Sequence, residues 1–430
     1  MGTDVITIAP AASIRGTISV PGDKSITHRA LLLNSVARGK SQISGAGLGD
    51  DCLSTISCLR QLGVQIEQVA KHEFIVHGVA DQLRESTVPL NCGNSGTTMR
   101  LLLGILSSIP QFNILYGDSS LTNRPMGRVA NPLRQMGSSI DGRQNGNLPP
   151  LAIKGRSLNG IAYHMPVASA QLKSALLLAA VRANGTTIIN QPAQSRDHTE
   201  LMLSSQGINM TKSGNTIKMD GGQEPEAIDV LVPGDISSAA FWMILAAIHP
   251  DAELSVKNVG SNPTRTGVIM ILEQMGAHIS QDNLQIGSEP AADFFIKSSS
   301  LRGTTISGAE IPLLIDELPA IAVAATQAEG TTIIRDATEL RVKESDRISA
   351  MYQGLQKMGA AIEETEDGLI VHGPSCLRGS KVQCHGDHRV AMALAIAASL
   401  AEGETELYGA SAVSISYPGF WRILHEIQSV

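Results

Sequence analysis

The chain has 430 residues, of which 43% are hydrophobic and 17% charged, with a formal net charge of −7. That length suits two or three ordinary domains, and the acidic balance argues against a general nucleic-acid binder, which needs a basic surface. Five scattered cysteines with no CxxC pair indicate neither a disulfide framework nor a zinc site, so a reducing cytoplasm is expected.

The first residues, MGTDVITIAPAASIRG, lack a basic stretch followed by a long apolar core, so no secretory leader is read. Strands are predicted at VITIAPAA and GTISVPG. A polar tip, PGDKSITHR (21–29), then opens an Ala/Leu-rich helix. Its cations, Lys24 and Arg29, stand where the positive end of the helix dipole makes them mildly unfavourable, unless an anion binds there. The same sequence of short strand, polar tip and apolar helix recurs at NCGNSGTTMR (91–100), VASAQLKS (167–174), PGDISSAAF (233–241), IDELPAIA (315–322) and GDHRVAMA (386–393).

A second repeat interleaves with the first, a helical segment closing on Leu-x-x-x-Gly-x-x-Ile/Met. Its copies are LRQLGVQI (59–66), LRQMGSSI (133–140), LSSQGINM (203–210), LEQMGAHI (272–279) and LQKMGAAI (355–362). Each glycine, at 63, 137, 207, 276 and 359, reads as a left-handed residue just past a helix, ahead of a new strand. Tips lie roughly 65 to 80 residues apart, longer than common solenoid repeats. Six units of strand, helix, strand, helix, strands fill the chain, an α/β organisation with parallel pairs. Three units per half give two similar domains, residues 21–234 and residues 1–20 plus 235–430, joined by tight crossings that could act as hinges. The sixth unit is short of a strand after its last helix, PGFWRILHEIQSV, and the two opening strands are expected to supply what it lacks. The apolar helices are too interrupted to span a membrane.

In α/β units ligands gather where strands end and helices begin, and helix N-termini suit anions. The tips carry Lys24, Ser25, Arg29, Asn94, Ser95, Gly96, Thr97, Arg100, Ser169, Gln171, Lys173, Asp316, Glu317, His388 and Arg389. The second helices open at Arg124, Arg196, Arg265 and the cluster Lys343, Glu344 and Arg347. An acidic chain that loads cations onto helix starts points to more than one anionic group, gripped by Arg or met by Lys as point charge or acid/base. Taken singly, each residue has a plainer reading. An arginine at a helix start is most often solvated surface. GNSGTT is a capping turn as readily as a phosphate loop, and without a P-loop lysine it is no triphosphate site. Asp316 and Glu317 suit a first turn, His388 suits the core, and Lys343, Glu344 and Arg347 suit a solvated ion-pair set. Recurrence at equivalent ends of repeated units favours binding.

The motifs PGDKSITHRALLL, GNSGTTMRLL, SLTNRPMGRV, SAQLKSALLLA, SRDHTE, the Asp of IDELP, RVKESDRI and GDHRVAMA stand in this order. Together the chain resembles the 5-enolpyruvylshikimate-3-phosphate synthase (3-phosphoshikimate 1-carboxyvinyltransferase) family from end to end. The resemblance implies two domains of three βαβαββ-type units each, an inside-out α/β barrel closing on substrate at a hinge. It implies transfer of the enolpyruvyl group of phosphoenolpyruvate to the 5-hydroxyl of shikimate 3-phosphate, with release of phosphate. No metal or organic cofactor is implied, and the expected state is a cytoplasmic monomer that binds neither nucleic acid nor membrane.

Residue by residue, the resemblance assigns Lys24, Ser25, Arg29, Ser169, Ala170, Gln171, Arg196, Asp316 and Lys343 to shikimate 3-phosphate. It assigns Lys24, Gly96, Arg124, Gln171, Arg347 and Arg389 to phosphoenolpyruvate. Asp316 is similar to the proton acceptor and Glu344 to the acid that protonates the methylene carbon, with Lys24 as a third catalytic group. GDKS, SAQLK, RDHTE and NPTR are similar to the family's second class, which is often associated with tolerance to glyphosate. Gly96 stands where the best-known tolerant relatives carry alanine, and Ile415 stands where many first-class members have lysine. The alternative is the sister transfer to UDP-N-acetylglucosamine. That enzyme typically shows a reactive Cys or Asp in a loop of the first domain; the loop QFNILYGDSSLTNR (111–124) has no cysteine, and Arg29 with SAQ favours the shikimate phosphate. A non-catalytic repeat protein that binds RNA ends is disfavoured by the acidic composition and the lack of an aromatic-basic stripe.

Overall fold

A helix that is apolar on every side has to be buried on every side. A computed structural model describes residues 4–285 and 289–428 of the chain. Among the described residues six helices meet that condition along nearly their whole length: Lys24–Ser35, Gly96–Ser107, Ala170–Ala180, Ile236–Ile248, Leu318–Gln327 and His388–Ala398. The chain divides into two compact units, Gly22–Val232, and the stretch up to Pro21 together with Pro233 onward. Each unit holds three of these helices as its interior.

Small sheets cover the helices, giving an α/β fold of six repeated mixed sheets among the described residues. One repeat shows the plan. Strand Leu90–Asn91 leads through helix Gly96–Ser107 to the parallel strand Phe112–Tyr116. Helix Gly127–Gln135 then leads to the antiparallel strands Ser139–Gly142 and Leu148–Lys154. Leu148–Lys154 lies between Phe112–Tyr116 and Ser139–Gly142 in space, and its residues alternate between core and outer face. The interior is close-packed. A Cβ added at Gly104 would lie 2.4 Å from the carbonyl oxygen of Ala175 on the neighbouring helix, so only glycine permits that approach.

The Leu-x-x-x-Gly repeat has a double cause. All five glycines have positive φ, between +85° at Gly207 and +113° at Gly137. The residue after each donates its N–H to the carbonyl of the motif leucine: Val64 to Leu59, Ser138 to Leu133, Ile208 to Leu203, Ala277 to Leu272 and Ala360 to Leu355, at 2.8–3.0 Å. This is the six-to-one bond of a Schellman cap. The same leucines are fully buried. One residue thus anchors the helix to the core and accepts the bond that ends it.

Three sheets recruit a strand from far along the chain. Val230–Leu231 runs parallel to Arg38–Ser44, and Ile14–Ser19 runs parallel to Ala252–Gly260. Val5–Ile8 runs antiparallel to Thr405–Tyr408. The expectation that both opening strands complete the sixth sheet is therefore corrected. Only Val5–Ile8 does so, while Ile14–Ser19 opens the fourth. Pro10, which has no N–H to give a ladder, separates the two strands. Ile14 and Ile18 are buried with Leu254 and Val256 in the core of the fourth sheet's unit. Among the described residues no helix is long and apolar enough to cross a membrane.

Two glycine substitutions should separate backbone strain from packing. At Gly207 an added Cβ meets nothing within 4 Å, so Gly207→Ala should cost only the left-handed penalty, about 1 kcal/mol. Gly104→Ala should cost about 3 kcal/mol by overpacking. Urea unfolding midpoints of the two variants check the order.

Candidate active site

Burying a helix whole leaves its first-turn N–H groups to be satisfied at the tip. Five of the six inner helices use a side chain of the N-cap residue. Asp23 accepts from the Ile26 N–H at 2.8 Å, Ser95 from Thr98 at 3.1 Å and Ser169 from Leu172 at 3.4 Å. Asp235 accepts from Ser237 at 2.8 Å, and Asp387 from Arg389 at 2.8 Å and Val390 at 3.4 Å. The sixth, Glu317, does not cap its helix. The predicted polar tips are therefore real helix openings, and side chains beside the caps are held in place.

In Gly22–Val232 the tips are cationic. Lys24 Nζ lies 2.9 Å from Asp51 Oδ2, an acid from the first turn of helix Asp50–Gln61. The sequence reading did not single out Asp51, because paired acids at a helix start are a generic complement to the dipole. Gly96, Arg100, Arg124 and Gln171 come together. Arg100 donates to Gln171 Oε1 at 2.6 Å, and Gln171 donates to Thr97 Oγ1 at 2.9 Å. Arg124 donates to both the carbonyl and the side-chain oxygen of Asn94, at 3.1 and 2.5 Å. A Cβ at Gly96 would lie 2.9 Å from Arg100 Nη1 and 3.7 Å from Arg124 Nη1.

The residues expected from the sequence to meet shikimate 3-phosphate differ in depth. Ser25, Ser169, Ala170, Gln171 and Arg196 are half-buried. Arg29 is 3% exposed and donates to Thr199 Oγ1 at 2.7 Å, Ser174 Oγ at 2.9 Å and the Ser25 carbonyl at 3.0 Å. Lys173 is an internal strut, 2.6 Å from Glu200 and 3.1 Å from the Ser195 carbonyl. Burial pushes its amine below the usual lysine range, with Glu200 resisting. A hydroxyl chain braces the tips: His28 Nδ1 to Thr55 at 2.7 Å, Thr55 to Thr98 at 2.6 Å and Thr98 to Ser95 at 2.7 Å. Burial, partly offset by Asp51, pushes His28 down to about 3, so the ring is neutral at neutral pH.

In the other unit the tips alternate acids with cations around Arg347, whose side chain is 1% exposed. Its Nε lies 2.8 Å from Asp387 Oδ2, its Nη2 2.5 Å from Glu344 Oε2 and its Nη1 3.4 Å from Asp316 Oδ1. Burial works against its charge, but Asp387, Glu344 and Asp316 outweigh burial and hold the guanidinium protonated. Asp387 has the mirror position. Burial would raise its carboxyl, yet Arg347 beside it brings the group below the usual range. Lys343 Nζ lies 3.8 Å from Asp316 Oδ1, and burial lowers its amine, with Asp316 opposing. Arg389 donates to the Asp316 carbonyl at 3.1 Å. Asp316, Lys343, Glu344, Arg347 and Arg389 are thus brought together. His388 is buried in the helix interior and Arg265 is 2% exposed. Sequence reasoning passed over Asp387, whose capping role at GDH hides its second role as partner of Arg347. Chemically, this arrangement sets carboxylates able to take or give a proton beside guanidinium groups able to hold an anion.

Residues 8–424 match the EPSP synthase (3-phosphoshikimate 1-carboxyvinyltransferase) family. The chain is similar to the 3-phosphoshikimate 1-carboxyvinyltransferase of Bacillus cereus (strain B4264), 51% identical over 423 residues, covering 98% of this chain and 99% of the relative. It is equally similar to that of Bacillus thuringiensis (strain Al Hakam), 51% identical over 417 residues and 97% of each chain. Among solved structures, EPSP synthase from Acinetobacter baumannii superposes with a TM-score of 0.88 at 42% identity, covering 99% of this chain and 98% of that one. The enolpyruvyl transferase NikO from Streptomyces tendae shares the fold, with a TM-score of 0.78 at 16% identity over 99% of this chain and 98% of its own. The chain belongs to the EPSP synthase family, the 3-phosphoshikimate 1-carboxyvinyltransferases of the shikimate pathway.

Proposed function

We propose that the chain joins phosphoenolpyruvate to the 5-hydroxyl of shikimate 3-phosphate as the enolpyruvyl ether, releasing phosphate, through the residues set at its helix tips. The observation that carries this reading is 51% identity over 98% of the chain to a 3-phosphoshikimate 1-carboxyvinyltransferase. Five free cysteines, four of them buried, support a reducing cytoplasm.

Shikimate 3-phosphate is assigned Lys24, Ser25, Arg29, Ser169, Ala170, Gln171 and Arg196 in one unit, and Asp316 and Lys343 in the other. Arg29 now holds neutral acceptors, the Thr199 and Ser174 hydroxyls and the Ser25 carbonyl. An anionic substrate group would compete well for it, because charge-assisted bonds are about twice as strong as neutral ones. Phosphoenolpyruvate is assigned Lys24, Gly96, Arg124 and Gln171, with Arg347 and Arg389. The addition step needs a base for a hydroxyl and an acid for the methylene carbon. Asp316 takes the first role and Glu344 the second. Proton loss from Glu344 leaves a carboxylate facing Arg347 at 2.5 Å, so the spent acid is stabilised where it forms. Lys24, held by Asp51, meets the phosphate as a point charge or proton source.

Phosphate release should require both phosphoenolpyruvate and shikimate 3-phosphate. Release with UDP-N-acetylglucosamine in place of the shikimate would overturn the reading. In the same assay Lys24→Met and Asp316→Ala should each lower kcat by about a hundredfold or more. Gly96→Ala pushes against Arg100, beside Arg124, and should raise KM for phosphoenolpyruvate by about tenfold, with a smaller effect on the shikimate KM. Asp387 has a depressed pKa, so its stabilisation is present above the unfolded carboxyl value of 3.8 and is lost as pH falls through the lower folded value. Asp387→Asn should therefore cost about 3 kcal/mol at pH ~7 and distinctly less at pH ~3. Urea midpoints at the two pH values test this.

A further inference from the structure

Glu317 is the inner-helix N-cap residue that does not cap, and its carboxylate is fully buried. A buried carboxylate needs partners that keep its charge. Its Oε1 accepts a short hydrogen bond from the Ser237 hydroxyl, and Ser237 in turn accepts from Arg265 Nη2 at 2.7 Å. The same Oε1 lies 3.9 Å from Arg265 Nη2 and 3.9 Å from Arg389 Nη1. Its Oε2 has no hydrogen-bond partner. Glu317 therefore backs onto Arg389 with charge but without a hydrogen bond. Arg389 spends Nη1 on the carbonyl of Asp316, the residue before Glu317.

This differs from Arg347, whose nitrogens are gripped by three carboxylates. A carboxylate at hydrogen-bonding distance would compete with an incoming anion for the guanidinium. One at 3.9 Å in a buried setting attracts the charge while leaving the donors to the anion. The hydroxyl of Ser237 and the guanidinium of Arg265 keep the carboxylate from closing that gap.

We infer that Glu317 is a positioning residue: braced by Ser237 and Arg265, its buried carboxylate sets the place and charge balance of Arg389 for the phosphoenolpyruvate anion. The inference rests on the assignment of Arg389 to that substrate. Glu317→Gln keeps the shape and removes the charge. Steady-state kinetics should show KM for phosphoenolpyruvate raised about tenfold, kcat within about threefold and the shikimate 3-phosphate KM unchanged. In an Arg389→Ala background the same change should add less than about twofold, because its action passes through Arg389. Ser237→Ala, which removes the brace and spares the carboxylate, should shift the phosphoenolpyruvate KM in the same direction by a smaller factor, and it carries the test if Glu317→Gln does not fold. The inference is overturned if Arg389→Ala raises that KM while neither Glu317→Gln nor Ser237→Ala does, or if the Glu317 and Arg389 effects multiply independently. An Arg389→Ala enzyme with unchanged KM overturns the substrate assignment, and the inference with it.

Discussion

A helix buried along its length can meet water or a ligand only at its ends, and its first-turn amides must be satisfied there. This constraint shapes the whole chain. It puts Asp or Ser at five of the six inner-helix N-caps and so fixes the backbone of each tip. Asp387 shows how much hangs on one such residue. Its Oδ1 closes the cap of its own helix, and both oxygens accept from Arg347, which in turn reaches Glu344 and Asp316. Loss of that carboxylate would uncap the helix start and remove one of the three carboxylates that hold the guanidinium.

Cations at the helix tips of both units are held by fixed partners. In Gly22–Val232, the acceptors described for Arg29, Arg100 and Arg124 are hydroxyls, amide oxygens and carbonyls. Lys24 and Lys173 of the same unit face the carboxylates of Asp51 and Glu200. In the other unit Arg347, Lys343 and Arg265 face carboxylates. Arg347 there lies among three carboxylates, those of Asp316, Glu344 and Asp387.

Local features of the fold were legible in the sequence where one residue type answers to one geometry. The Leu-x-x-x-Gly repeat could be read because the left-handed turn needs glycine and the core needs the leucine. The tips could be read because few side chains cap a helix. Partners across the chain were not legible. Asp51 meets Lys24 over a separation of 27 residues, and Ser237 meets Glu317 over 80. No local pattern specifies such pairs, since they follow from which helix tips the topology brings together. The destination of Ile14–Ser19 was misread for the same reason. A six-residue alternating strand suits any open sheet edge, and the choice of Ala252–Gly260 is made by buried contacts of Ile14 and Ile18.

The long-range strand pairings also bear on the order in which the protein can assemble as it is made. The sheet holding Arg38–Ser44 can gain its far strand once Val230–Leu231 has left the ribosome. Val5–Ile8 is made long before its partner and must wait for Thr405–Tyr408. Until then it is an unpaired edge, open to wrong partners. Its four-residue length and the proline that follows limit how much it can mispair in that interval.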